Sequence, residues 1–159
     1  AEGWLPHNVP FEDLSTDFET IAETAHERDR DPDEIAVAPY VPSAVSEDAS
    51  RARATLRSHI AYYVGSGEGY RKAVAKRFPE GADAVAEAWR DGNRDEARKA
   101  VTDEMVAALG VAGTPAEARE QFDAIASIDV IDEPLVVVPT GAAEDIKART
   151  VEALSPDNQ

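Results

Sequence analysis

The stretch that most limits what this chain can fold into is "EPLVVVPTG", where Leu135–Val138 form a continuous apolar run closed by proline and a Thr-Gly turn. A short run without alternation fits a strand buried on both faces, as in a parallel sheet, and not a strand with one wet face. "IAVAPYV" (Ile35–Val41) has the same character, being short, apolar and rich in β-branched residues; Pro39 predicts that its ladder ends near that position. The opening "AEGWLP" reads as the end of a third strand. Each of these strands needs neighbours, so the chain must either build a sheet or join one.

Helical patterns fill the intervals. Phe11, Leu14, Phe18, Ile21, Ala22 and Ala25 recur at helical spacing, which predicts a helix over 11–28 that stops in "RDRDPDE". "PSAVSEDAS" turns into a second helix with Ala52, Leu56, Ile60 and Val64 on one face and Gly65 as its stop. Further helices are expected at Gly69–Arg77, Ala82–Arg90 and Arg94–Leu109. In "GTPAEAREQFDAI", Thr114 can cap the next helix, Pro115 suits its first position and Glu117 completes a capping box. A last helix is expected at Ala142–Leu154. This order of strands and helices predicts an α/β fold with a parallel sheet. Ile35–Val41 and Leu135–Val138 are expected to be parallel neighbours under the right-handed crossover rule. Three strands with five or six helices do not close on themselves, and 159 residues make one domain or a piece of a larger one.

Charge narrows the partners. Asp and Glu number 32 against 16 Lys and Arg, a net charge of −16 spread along the whole chain. Such a surface repels nucleic-acid phosphates and anionic lipid, so neither is an expected partner. Only Lys72, Lys76, Lys99 and Lys147 are lysines, and an acidic, lysine-poor surface suits a halophilic cytoplasm, where salt screens self-repulsion. An ordinary acidic protein is the alternative. No apolar run approaches the roughly 18 residues of a membrane span, and no apolar export segment opens the sequence, so a cytoplasmic location is expected. The absence of cysteine excludes disulfides, thiolate metal sites and a cysteine nucleophile.

The ordered series "AEGWLP", "ERDRDPDEI", "IAVAPYV", "SEDASRARATLRSHIAYYVGSGEGYRKAV", "DEMVAALGVAGTPAEAREQFDAI" and "DEPLVVVP" resembles the bacterial luciferase-like superfamily, within it the coenzyme F420-dependent branch that includes methylenetetrahydromethanopterin reductases. Together with the charge, this suggests a haloarchaeal member. The resemblance implies an incomplete (β/α)8 TIM barrel, of which residues 1–159 would be the C-terminal part, with about three strands and 66–113 as a helical insertion between the last two. A full barrel needs about 250 residues. The resemblance also implies a deazaflavin cofactor, F420, with FMN as the alternative, an organic small-molecule substrate and no metal. One departure is local: relatives often carry Gly-Arg-Asp-Pro where this chain has Asp29-Arg30-Asp31-Pro32, so a left-handed glycine turn is lost or replaced.

In a (β/α)8 barrel the active site lies at the C-terminal strand ends. That rule selects Gly3, Trp4 and His7, then Tyr40 and Ser43, then Thr140 and Gly141 beside Pro139 as cofactor-binding candidates; no catalytic residue is singled out. Gly3 would admit a ring, Trp4 would wall it and His7 would donate a hydrogen bond; a core plug and a loop histidine are the plainer readings of the last two. Tyr62, Tyr63 and Tyr70 with Gly65, Gly67 and Gly69 can form a mobile lid, or simply a helix face with a glycine stop. His7, His26 and His59 lack metal-ligand spacing. Two functions stay open: a flavin- or deazaflavin-dependent oxidoreductase, or a non-catalytic remnant that associates through its exposed sheet edges as a homo-oligomer. A small acidic helical scaffold is a weaker third. With a charge of −16, the thermal unfolding midpoint is expected to rise between low and molar potassium chloride. An unchanged midpoint would mean that the acidity is no adaptation to salt.

Overall fold

The structure, a computed structural model, describes residues 2–156. The elements in chain order are β1 (Gly3–Trp4), α1 (Leu14–His26), β2 (Ala36–Val37), β3 (Tyr40–Val45), α2 (Ala49–Ser66), α3 (Glu68–Ala75), α4 (Pro79–Arg90), α5 (Arg94–Ala100), α6 (Asp103–Leu109), β4 (Val111–Gly113), α7 (Pro115–Ala126), β5 (Leu135–Val137) and α8 (Glu144–Leu154). Every strand pair is parallel. The fold is α/β as expected, and the described strands do not close into a barrel.

β2 and β3 form one line through residues 36–45, and the other strands attach to it. The even-numbered amides of its first half donate to the β1 segment: Ala36 N–H to Glu2 O (3.1 Å), Ala38 N–H to Trp4 O (2.9 Å) and Tyr40 N–H to Pro6 O (2.9 Å). β4 then pairs with Ser43–Val45, and Ser46 N–H donates to Gly113 O at 3.1 Å. Pro42, which has no N–H, sits at the changeover between these two neighbours. On the other edge β5 pairs Leu135 with Tyr40 and Val137 with Pro42. The expected parallel neighbours are therefore found. The ladder does not end at Pro39, because proline lacks a donor but keeps its acceptor, and Pro39 O receives Leu135 N–H at 2.9 Å.

Two apolar cores lie on either side of this sheet. Leu56, Ile60, Val64, Val85, Met105 and Leu109 from the helices between β3 and β4 pack with Ala44, Ala112 and Ile146. Phe11, Leu14, Phe122, Ile125 and Leu154 pack with Val41, Val45 and Val111. Buried Ala52, Leu56, Ile60 and Val64 of α2 fall every four positions, one stripe of a helix with Ala61 beside it, and Asp48 starts that helix by accepting Ser50 N–H.

Several boundaries differ from the sequence reading, each for a local reason. The first helix is shorter, with a 3₁₀ turn at Phe11–Asp13 before α1. "PSAVS" extends the strand instead of turning toward α2, since Val45 and Ala44 are each claimed by a core. Arg94–Leu109 is two helices, because Thr102 accepts Met105 N–H and so caps a new one. The short β4 lacked any periodic signal; the Gln121 side chain holds its outer edge, accepting Ala112 N–H (3.1 Å) and donating to Ala112 O (3.2 Å). β5 is not buried on both faces: Val136 is 36% exposed, because no described residue covers that edge strand's outer side. Asp29 takes the left-handed turn itself, with φ 53°, in place of a glycine. The capping box at Thr114, Pro115 and Glu117 forms as expected.

Gly65 stands inside α2, not at its end, and a methyl there would lie 2.6 Å from Cδ2 of the Trp89 ring. Gly65→Ala is expected to destabilise the fold by about 1–3 kcal/mol, overpacking outweighing the better helix propensity of alanine. Denaturant unfolding tests this; a variant more stable than the parent would show that Trp89 yields without cost.

Candidate functional site

The segments that follow β1 and β5 reach the helix α2, His7 against Tyr63 and Pro139–Gly141 across a cleft. There a cleft of about 660 Å³ is lined by Thr55, Ser58, His59, Tyr62 and Tyr63 on α2 and by Pro139, Thr140 and Gly141 after β5. α2 presents these side chains together because positions three and four apart share a helix face. Gly141 leaves open space where a side chain would stand, with no atom within 4 Å of an added Cβ.

Behind the cleft wall lies an aromatic cage. The ring of His7, just past β1, is 4.7 Å from Tyr63, 5.4 Å from Tyr40 and 5.6 Å from Tyr70, each edge-on. His59 lies 6.0 Å from His7 and 4.7 Å from Tyr63. The Nε2 atoms of both histidines are buried without a hydrogen-bond partner. Burial disfavours the imidazolium in both: His7 is held below the ordinary histidine range, and His59 is pushed down to about 4, first by burial and then by the neighbouring His7. Near neutral pH each ring is therefore uncharged, with one nitrogen donating and one accepting. Asn8 adds a second unusual group: it is buried, its φ is 55°, and neither atom of its amide has a partner. Strain and unsatisfied polarity of this kind concentrate at binding sites.

The candidates from the sequence separate into two groups. His7 and Tyr40 meet in the cage, and Thr140 and Gly141 line the adjoining cleft. Gly3, Trp4 and Ser43 lie elsewhere. Gly3 pairs with Ala36 at the far end of the sheet, and Trp4 stacks on Phe18 at 6.1 Å beside the second core. Ser43 is fully buried and donates its hydroxyl to Val41 O at 2.9 Å. The glycines form no lid loop: Gly65 lies in α2, Gly69 in α3, and Gly67 alone makes the elbow between them. Tyr62, Tyr63 and Tyr70 are instead helix-borne walls. Sequence reasoning passed over His59 and Asn8. His59 could have been found from its i+4 spacing to Tyr63, whereas the left-handed conformation of Asn8 left no mark in the sequence.

The sequence matches a known family. The model of the luciferase-like monooxygenases matches residues 1–130. The chain belongs to the luciferase-like monooxygenase family. Among solved structures, the coenzyme F420 dependent tetrahydromethanopterin reductase of Methanopyrus kandleri superposes on this family member with a TM-score of 0.74 at 25% identity. The match covers 97% of this chain and 44% of that one, so the chain spans less than half of that enzyme's length. No curated protein matches this luciferase-like chain in sequence. Among the described residues no three or more His, Asp or Glu side chains gather to hold a metal ion, and no helix is long and apolar enough to cross a membrane.

The histidine pair makes stability depend on pH. His59 has a folded value near 4 against an unfolded value near 6.5, so the unfolded chain takes up the proton first as pH falls. The stabilisation is complete above about pH 6.5 and is lost between there and about pH 4, at up to roughly 1.4 kcal/mol per pH unit for one proton. Denaturant unfolding at pH 7.5 and pH 5 should show this loss, and His59→Phe should shrink it. Equal losses in both proteins would mean that His59 is not the group responsible.

Proposed function

We propose that this chain forms part of a deazaflavin-dependent oxidoreductase, with coenzyme F420 as the redox group and FMN as the alternative. The observation that carries the reading is the aromatic cleft at the C-terminal strand ends, in a member of the luciferase-like family. Such a ring, when bound, supplies hydride transfer to or from an organic substrate. The residues present fit one side of a planar, polar-edged ring. Tyr62 and Tyr63 offer flat apolar walls, and the Thr140 hydroxyl offers a hydrogen bond. Gly141 leaves room for close approach, and the uncharged His7 and His59 exclude a fixed positive charge from the wall. The reductase of Methanopyrus kandleri, a coenzyme F420 dependent enzyme by name, supports the cofactor assignment. The net charge of −16 supports a salt-rich, haloarchaeal cytoplasm as the setting.

The remaining walls belong, in this reading, to further strand–helix units paired with the outer edges of β1 and β5. Leu5 is 49% exposed and Val136 36% exposed beside those edges, and Ala36 is exposed on the sheet. Three strand ends of eight cannot enclose a cofactor. In this reading the chain is the C-terminal part of a catalytic barrel whose open edges promote self-association.

Titration of F420 and FMN against the chain, with light scattering alongside, tests this. Dissociation constants above roughly 0.1 mM are expected, with dimers or larger species. At millimolar F420 the His59 and Thr140 nuclear magnetic resonance signals should shift. Micromolar binding by a monomer would overturn the partial-barrel reading. Shifts that fall outside the cleft, or no shifts at all, would overturn the cofactor reading.

A further inference from the structure

Unpaired buried polarity in this molecule is gathered in one place. Five buried side-chain atoms lack a hydrogen-bond partner among the described residues: His7 Nε2, both amide atoms of Asn8, Asp13 Oδ2 and His59 Nε2. Four of the five lie within residues 7–13, and the fifth is on the His59 ring, 6.0 Å from His7. A buried polar group without a partner costs about as much as a lost hydrogen bond, so this segment holds a costly position.

Its sequence, "LPHNVPF", shows where it can move. Proline fixes φ at Pro6 and Pro10 and confines the preceding residues, Leu5 and Val9, to extended backbone. Only His7 and Asn8 remain free to rotate. Both ends are held. Pro6 O accepts Tyr40 N–H at 2.9 Å, and Pro10 O accepts Asp13 N–H at 2.9 Å. Beyond Pro10, Phe11 is buried in the second core, and Arg77 holds Glu12 and Asp13 at 2.6 and 2.9 Å. Asn8 carries φ 55°, a left-handed conformation that asparagine tolerates and that glycine adopts without steric cost. Residues 7–9 are therefore a short strap with fixed ends and one strained joint.

Two opposed tendencies act on the strap. Inward, His7 meets Tyr63, Tyr40 and Tyr70 at 4.7, 5.4 and 5.6 Å, three edge-on aromatic contacts. Outward, rotation at the joint relieves the left-handed backbone and gives water to the Asn8 amide and to both Nε2 atoms. Strain held against such contacts is a mark of segments that switch.

We propose that residues 7–9 form a strap with two positions and that His7 is the plug it carries. With the strap closed, His7 backs His59 and Tyr63, two residues of the cleft wall, and the cleft ends there. With the strap open, the space among Tyr40, Tyr63 and Tyr70 joins the cleft and deepens it. The depth of the cleft is thus set by a residue outside its lining. Motion of the strap requires no ligand, so it is independent of the redox group assigned above.

Two measurements on the full chain test the strap: relaxation dispersion at the Tyr63 and Tyr70 rings, and carbethoxylation of His59 by diethyl pyrocarbonate. The parent protein should show microsecond-to-millisecond exchange at both tyrosines. His7→Phe keeps a flat ring for the tyrosines and strands no nitrogen, so it should quench the exchange and slow His59 modification several-fold. Asn8→Gly and Asn8→Ala both remove the amide, but only alanine is penalised in the left-handed joint. The alanine variant should therefore modify His59 about tenfold faster than the glycine variant. His26, exposed on α1, is the reference and should react equally in all four proteins. Absence of exchange in the parent, one His59 rate in all four proteins, or equal rates in the two Asn8 variants would overturn the strap. Waters fixed permanently on the unpaired atoms would give that outcome. Should Asn8→Ala fail to fold, the parent against His7→Phe decides alone.

Discussion

The structure depends on hydrogen bonding along one line of backbone, residues 36–45. Strand groups buried between two helical layers must each find a partner, because an unpaired one costs about as much as a lost hydrogen bond. Where neighbouring strands run short, side chains take their place. Val37 N–H donates to the Asp132 carboxylate at 2.7 Å, before β5 begins. Val45 N–H donates to the buried Thr150 hydroxyl at 2.9 Å, after β5 has ended. Thr150 in turn donates to Ile146 O at 2.7 Å, so a polar residue inside α8 has both its roles filled. Proline stands at two places on the same line, and at each the missing donor does not interrupt the sheet. The helices are placed by this line: α2 leaves its end, α7 follows the strand beside it, and α8 follows β5 back across it.

Much of this was legible in the sequence. The capping box at Thr114 and the apolar runs at Ile35–Val41 and Leu135–Val138 are local signals, and local signals survived folding. What could not be read depends on contacts between distant residues. β4 exists because Gln121 and Ser43–Val45 hold it from either side, and nothing in "VAG" announces that. Gly65 looked like a helix stop until the approach of Trp89 gave it a packing role. The site followed the same division. The strand-end rule selected His7, Tyr40, Thr140 and Gly141, which topology places around the cleft and the cage behind it. It also selected Trp4 and Ser43, whose side chains turn toward core and backbone, an outcome set by pleat and packing. His59 came from the helical segment, where no rule for strand ends applies.

Helix α2 joins these themes. Its buried stripe anchors the larger core, its Gly65 admits Trp89, and its outer side carries His59, Tyr62 and Tyr63. A rigid helix is a better platform for a site than a loop, because its side-chain directions are fixed by the backbone. Tyr62 is 53% exposed yet packs edge-on against Trp89 at 5.7 Å, so even the most solvated wall is braced from behind. His59, packed against Tyr63 and His7 on the same helix side, is left neutral by burial and by that neighbouring histidine.

The clasp of Gln121 on β4 bears on how such a sheet can grow. A carboxamide that both donates and accepts imitates one residue of a neighbouring strand, and a strand edge so occupied no longer offers a template there. Unpaired backbone remains on the outer edges of β1 and β5, which lie on opposite sides of the central line. By occupying the Ala112 backbone, a single glutamine leaves that stretch of β4 without free groups for a further strand.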